Sequence, residues 1–404
     1  MHSAKKQFAS QPRGMFVSTV RSSDSRTSGL LNEYLDLLGD DALDRILALK
    51  PYTTEEIANL TATKFVVLSE KLHRADHAWE DLTLQRDHIV HTLHSDRNIA
   101  VATRILPWIQ KQLPHDDALE IYLVRDAVYF LATKYLLSIA GVSVGTQKWS
   151  TFFYSKIPFK TGPSGFYHGK EKIVSEAWNG SPVETSSLYG TLEKIVSDSV
   201  EETRVDERNV DLERMYALLR SAFREQVSAS EKLNILSRNV YQEFRAEGFL
   251  ENRKVRLVDV CITGTTLLSL KLIVEHFAAE EGTDISVDIY PIGRYLIPYN
   301  LGGFDPESFL AQKETVTALQ KVYDLDIRDL ITDMSNNRAF LAGLIVPKKN
   351  MRWGNPIRWS EEQASFVTTP PAERLVVYVR LLYLVNGVID YLKLEGTLKS
   401  RKSA

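Results

Sequence analysis

The chain has 404 residues, 44% of them hydrophobic, and a formal net charge of −3 at pH 7. That length allows roughly two or three domains, or one elaborated α/β domain with a large core. The charge gives no general signal for nucleic acid or a membrane surface as a partner. One cysteine excludes an internal disulfide and a cysteine-cluster metal site, which favours a reducing, cytoplasmic compartment.

Two regions precede the first predicted strand. Residues 1–28 are rich in Ser, Lys, Arg and Gln and lack a continuous apolar segment, which predicts a disordered tail, with a transit peptide as the alternative. Residues 29–115 place apolar residues at helical spacing without strand-like alternation, so we predict a helical domain.

This helical region contains a histidine-rich stretch with two interpretations. Four histidines fall on one side of the predicted helix: His73, His77, His88 and His91. Imidazoles four residues apart can share a metal ion. The opposite side of the helix is apolar, however, so the histidines occupy what should be the solvated face, which is the interpretation we favour.

The first strand–loop–helix unit begins near Glu120. An apolar segment, Glu120–Val124, is followed by Arg125 and Asp126 and then by a helix-compatible segment ending at Gly141. Arg125 could bind a phosphate or pyrophosphate through two hydrogen bonds, and Asp126 could orient it or hold a metal-bound water. The alternative is a structural ion pair and helix cap.

The second unit is the most informative part of the chain. A β-branched run, Val255–Ile262, leads into Thr263, Gly264, Thr265 and Thr266, and a helical pattern starts at Leu267. Hydroxyls and main-chain N–H groups at a helix N-terminus favour a phosphate. Asp259, at the strand's carboxyl end, would then meet sugar hydroxyls or a hydrated magnesium ion. The alternative is an ordinary turn whose threonines cap the helix.

The two units belong to a predicted α/β core, residues 116–305, with a helical insertion at about 165–250. A strand is also predicted near Trp149–Ser155, and another at Ile285–Gly293, where Pro291 ends the strand or places it at a sheet edge.

Residues 306–404 form a predicted C-terminal helical region. Within it, residues 371–394 are apolar nearly all round, which predicts a buried core helix rather than a membrane span and could provide a homodimer interface.

Two family resemblances rest on these motifs. Leu257–Leu267 resembles the ribosyl-phosphate loop of type I phosphoribosyltransferases, and Leu123–Val128 resembles the pyrophosphate loop of that fold. The resemblance implies that Asp259 contacts ribose hydroxyls, that residues 263–266 hold the 5′-phosphate, and that Arg125 contacts pyrophosphate with magnesium present. Val260 stands where that family usually has a second acid.

The second resemblance is to motifs found downstream of a haloacid-dehalogenase-like hydrolase domain in bacterial surface-polysaccharide proteins. Tyr122–Leu131 and Val258–Thr265 carry it, but no Asp-x-Asp motif lies in a suitable strand.

We therefore expect a phosphoribosyltransferase-like α/β fold with a mainly parallel sheet. The expected ligand is a phosphorylated ribose or nucleotide, with glycosyl transfer as the reaction. The alternatives are an inactive regulatory or scaffold protein and a hydrolase. In open α/β sheets ligands bind at the carboxyl ends of the strands, so the Arg125 and Thr263 loops can share a ligand if their strands are neighbours.

Overall fold

The computed structural model describes residues 28–70, 97–123, 127–146, 148–152, 154, 194–196, 198–206, 210–260, 264–292, 306–323, 357–360, 365–368 and 371–402. The helices are α1 (Ser28–Ala48), α2 (Thr54–Glu70), α3 (Arg97–Gln110), α4 (Val128–Ile139), α5 (Leu212–Ala229), α6 (Glu231–Ala246), α7 (Thr265–Glu280), α8 (Pro306–Ala311), α9 (Lys313–Tyr323) and α10 (Pro371–Lys402). The strands are β1 (Leu119–Leu123), β2 (Trp149–Phe152), β3 (Lys254–Val260), β4 (Ser286–Ile292), β5 (Ile357–Ser360) and β6 (Ser365–Thr368).

The centre of the fold is a four-stranded sheet with the order β2-β1-β3-β4. Every pairing in it is parallel, and the register places Tyr122 of β1 opposite Val258 of β3. β4 is an edge strand that contains Pro291, as the sequence predicted, because proline cannot donate a ladder hydrogen bond. An α/β fold with a parallel open sheet is therefore confirmed.

Alternation along β3 divides the core between the two faces of the sheet. Val258 and Val260 pack into one cluster with α1, α2, α3, α4 and α10, which we call the first helical layer. Val255 and Leu257 pack on the opposite face with α5, α6 and α7, which we call the second helical layer. The described part of the predicted insertion is helical and supplies α5 and α6 to this second layer.

Helix α10 is buried by helices of the same chain, which confirms the predicted core helix. It contacts α1, α2, α3 and α4, and most of its side chains from Leu375 to Tyr391 are inaccessible. Among the described residues, no helix is long and apolar enough to cross a membrane. A homodimer through residues 371–394 stays a prediction, as does the division into domains.

Three of the four residues that interrupt the apolar pattern of α10 have a structural explanation. The Asn386 side chain accepts from the main-chain N–H of Tyr52 at 2.7 Å and donates to its carbonyl at 2.8 Å. Gly387 lies against α3, where an added Cβ would meet a main-chain oxygen at 2.4 Å. Asp390 lies 3.5 Å from the Arg104 guanidinium. The fourth residue that interrupts the apolar pattern is Arg380.

A buried ionic cluster joins β1 to the first helical layer. The Glu120 carboxylate is fully buried and accepts hydrogen bonds from the Tyr122 hydroxyl at 2.7 Å, the Thr146 N–H at 3.0 Å and the Lys134 ammonium of α4. Desolvation by burial lowers the pKa of Lys134. Because each carboxylate oxygen has a donor, the cluster fixes α4 against β1.

One short element differs from the sequence prediction. We expected residues 306–404 to form a helical region, but Ile357–Ser360 pairs with Ser365–Thr368 as an antiparallel hairpin. Four-residue strands carry too little alternation to be recognised from sequence.

Candidate functional site

The carboxyl ends of β1 and β3 are neighbours in the sheet. The two strands pair in parallel, so the chain leaves both at the same edge. After β1 the chain enters α4 on the first helical layer, whereas after β3 it enters α7 on the second. The helices that follow these two neighbouring strands therefore lie on opposite faces of the sheet, the arrangement at whose strand ends ligands bind in doubly wound α/β sheets.

The junction between β3 and α7 is described from Gly264 onward. Gly264 is the N-cap residue in a left-handed conformation with φ 66°, which favours glycine, and no side-chain cap is formed there. Its carbonyl accepts from the N–H of Leu268 at 3.0 Å. The N–H groups of the first helical turn have no partner within the helix and lie at the positive end of its dipole.

Asp259 is half-buried at the end of β3, opposite Pro291 of β4. Alternation puts its side chain on the α7 face with Leu257, while Val260 is 2% exposed in the core of the first helical layer. Asp259 and the N-terminus of α7 therefore lie on one side of the sheet edge. A second carboxylate at residue 260 would point into apolar packing.

A polar brace that the sequence did not reveal holds the first turn of α7. The Tyr154 hydroxyl lies 2.9 Å from Ser269 Oγ, which donates to the Thr266 carbonyl at 2.9 Å. Because the serine hydrogen is used in that bond, the tyrosine hydroxyl donates to Ser269. Desolvation raises the pKa of Tyr154 well above its ordinary value. No spacing pattern links residues that lie 115 positions apart.

Several predicted site residues lie outside the described part of the chain. Arg125, Asp126 and Thr263 are among them, and so are the histidines His73, His77, His88 and His91. Gly264, Thr265 and Thr266 occupy the start of α7, and Thr266 is partly exposed. Contacts of Thr263, Gly264, Thr265 and Thr266 with a phosphate remain predictions.

The described residues contain no group of three or more His, Cys, Asp or Glu side chains that could hold a metal ion. Magnesium at Asp259 would have one protein carboxylate and would depend on phosphate oxygens and water for its other ligands. Magnesium in phosphate-binding sites is often held this way.

Comparison with known proteins adds no relative. No protein-family model matches the chain, and neither a curated protein nor a solved structure shows significant similarity to it. The class of protein is therefore defined by its fold alone, an α/β protein with a four-stranded parallel sheet.

Proposed function

We propose that this protein binds a phosphorylated ribose or a nucleotide at the carboxyl edge of β1 and β3. The adjacency of these strands, with α4 and α7 on opposite faces, is the observation that supports the proposal most strongly. Because β1 and β3 are neighbours, the loops that follow them, which contain Arg125 and Thr263–Thr266, begin at the same edge of the sheet and can share one ligand.

The proposed roles follow from position along β3 and α7. The first turn of α7 binds the phosphate through main-chain N–H groups and the hydroxyls of Thr265 and Thr266. Asp259, on the same face of the sheet, accepts hydrogen bonds from sugar hydroxyls or holds a magnesium ion. Arg125 contacts the pyrophosphate of a phosphoribosyl pyrophosphate, and glycosyl transfer proceeds by departure of that group.

A non-catalytic regulatory or scaffold role is the second candidate, and the burial of Val260 favours it. With one carboxylate at the end of β3, the site can orient a sugar but lacks the paired acids of the resembling family. A hydrolase of the haloacid-dehalogenase type has less support, because no described strand contains an Asp-x-Asp sequence.

Titration calorimetry with phosphoribosyl pyrophosphate and magnesium tests the proposal. We expect saturable binding to the wild-type chain and a loss of about tenfold or more in Asp259→Asn, which removes one charged acceptor. The matched control is Asp288→Asn on the neighbouring strand, where the carboxylate lies 3.4 Å from Lys254, and it should bind normally. Absence of binding to the wild-type chain would contradict the proposal.

Activity assays separate the three candidate functions once binding is established. Release of pyrophosphate in the presence of a base acceptor indicates glycosyl transfer. Magnesium-dependent release of inorganic phosphate that Asp259→Asn abolishes indicates a hydrolase. Binding without turnover indicates the regulatory protein.

A further inference from the structure

Arg380 is a buried cation in the apolar helix α10. Its side chain is 4% exposed, and its Nε and Nη1 atoms have no hydrogen-bond partner in the described part of the chain. A guanidinium keeps its proton in proteins, so Arg380 cannot avoid the cost of burial by becoming neutral. Buried charges are normally paired, and this one therefore calls for a negative group.

The guanidinium lies beside a side chain from the first turn of α4, the helix that follows β1. Its Cζ atom is 5.5 Å from the ring centroid of Tyr129, the second residue of α4. The Tyr129 hydroxyl is also buried without a hydrogen-bond partner. The N-cap residue of α4 is Ala127, whose side chain has no polar atom and caps none of the first N–H groups of the helix.

These groups share one chemical requirement. The guanidinium N–H groups, the phenol hydroxyl and the helix N-terminus can all donate hydrogen bonds, and two of the three favour negative charge. A water molecule would accept one or two of these hydrogen bonds but would leave the charge of Arg380 uncompensated. An oxygen-rich anion satisfies both the donors and the charge, and phosphate suits the planar guanidinium.

The position of this cluster differs from that of the α7 N-terminus. α4 belongs to the first helical layer and α7 to the second, and their preceding strands β1 and β3 are adjacent. Two anion-binding helix N-termini would therefore lie on either side of the same sheet edge. A ligand that uses both must carry two separated anionic groups.

We propose that Arg380 and the N-terminus of α4 bind the pyrophosphate-type group of a ligand whose other phosphate lies at the N-terminus of α7. This inference rests on the proposed function and narrows its ligand to a sugar or nucleotide that carries two separated phosphate groups. Arg380 thus supplies a ligand contact from a helix about 250 residues distant from β1 in the sequence.

Calorimetry of the full chain with inorganic pyrophosphate and, separately, with ribose 5-phosphate tests the inference. We expect Arg380→Met to weaken pyrophosphate binding about tenfold to a hundredfold, because charge-assisted hydrogen bonds are lost, and to leave ribose 5-phosphate binding unchanged. Arg104→Met is the matched control, since Arg104 of α3 is also an arginine of the first helical layer but has Asp390 of α10 as its partner. It should change neither affinity.

A thermal unfolding measurement gives an independent readout of the same charge. Without ligand, Arg380→Met should melt at a higher temperature than the wild-type chain, because an uncompensated buried charge is removed. Pyrophosphate should raise the melting temperature of the wild-type chain and not that of the variant. Arg380→Lys keeps the charge without the planar fork and should bind pyrophosphate with intermediate affinity.

The outcomes separate this inference from the function on which it rests. Unchanged pyrophosphate affinity in Arg380→Met, with ribose 5-phosphate still bound, overturns the role of Arg380 alone. A destabilised or unfolded Arg380→Met variant also overturns it, because an acid of the chain, such as Asp126, would then hold the charge. Pyrophosphate binding that depends on Arg380, without any ribose 5-phosphate binding, supports the role of Arg380 and overturns the proposed function.

Discussion

Replacing Lys134 of α4 by methionine leaves the Glu120 carboxylate of β1 buried without its ammonium partner. Glu120 is fully buried and Lys134 is 2% exposed. Removing one member of such a pair costs about 3–5 kcal/mol. The carboxylate keeps its hydrogen bonds from Tyr122 and Thr146, so we expect a loss near the lower limit, about 3 kcal/mol in the free energy of unfolding.

We expect the double variant Glu120→Gln/Lys134→Met to be clearly more stable than the single variant Lys134→Met. Desolvation by burial is the largest cause of the lowered pKa of Lys134, to which repulsion from Arg256 also contributes, and the attraction of Glu120 does not offset them. The intact pair therefore contributes little net stability, and removing both charges should change the free energy of unfolding by about 1 kcal/mol or less. If Glu120→Gln also costs about 3 kcal/mol, the coupling energy should reach roughly 5 kcal/mol.

Urea unfolding followed by circular dichroism measures these differences. Arg214→Met provides the control, because its ion-pair partner Glu202 lies 3.3 Å away and both side chains are 58% exposed. That change should cost about 1 kcal/mol or less. The reasoning would be refuted if the effects of the two single changes on the free energy of unfolding added up in the double variant, or if Lys134→Met were as stable as the control. Either result would show that the buried Glu120 carboxylate does not need the Lys134 ammonium.

Three further changes test other parts of the fold by urea unfolding. Gly145→Ala should lower the free energy of unfolding by about 3 kcal/mol, because φ is +59° and an added Cβ would collide with the Glu120 carboxylate. Gly282→Ala is the control: its φ is +71° but the space around it is open, so it should cost about 1 kcal/mol. Asn386→Leu should cost about 2–4 kcal/mol by leaving a buried main-chain N–H and carbonyl unpaired; a neutral effect would contradict this. Burial alone would raise the pKa of Asp116, but hydrogen bonds from Arg256 and Lys254 outweigh the effect of burial and lower this pKa to about 2. Asp116→Asn should therefore lower the free energy of unfolding by about 1–2 kcal/mol above pH 4, and the wild-type chain and the variant should become equally stable as the pH falls through about 2. A difference that does not change with pH would show that the charge of Asp116 contributes nothing.

Local patterns in the sequence were sufficient to predict the strands and helices around the site. The β-branched run before Asp259 and the threonine-glycine turn predict β3 and α7, and both form at those positions. The continuous apolar composition of residues 371–394 predicts burial, which the packing of α10 confirms. These features depend on neighbours within a few residues, so the sequence carries them directly.

The arrangement of these elements depends on contacts that no local pattern encodes. More than 100 residues separate β1 from β3, so their pairing depends on which helices cover each face. The Tyr154–Ser269 brace and the Asn386–Tyr52 hydrogen bonds join positions 115 and 334 residues apart. Arg380 appeared in the sequence only as an interruption of an apolar pattern. Its proximity to α4 required the packing of α10.

Strand alternation limits what the site can do chemically. Asp259 faces α7, and the next residue must face the first helical layer, where Val260 packs among apolar side chains. A second acid at that position would be buried away from the α7 N-terminus, so this strand end presents a single carboxylate there. One carboxylate suffices to orient a sugar or to complete a magnesium site whose other ligands come from phosphate and water. Within the proposed function, a single carboxylate at this strand end favours ligand binding over catalysis, and the two helix N-termini would recognise the charge of the ligand.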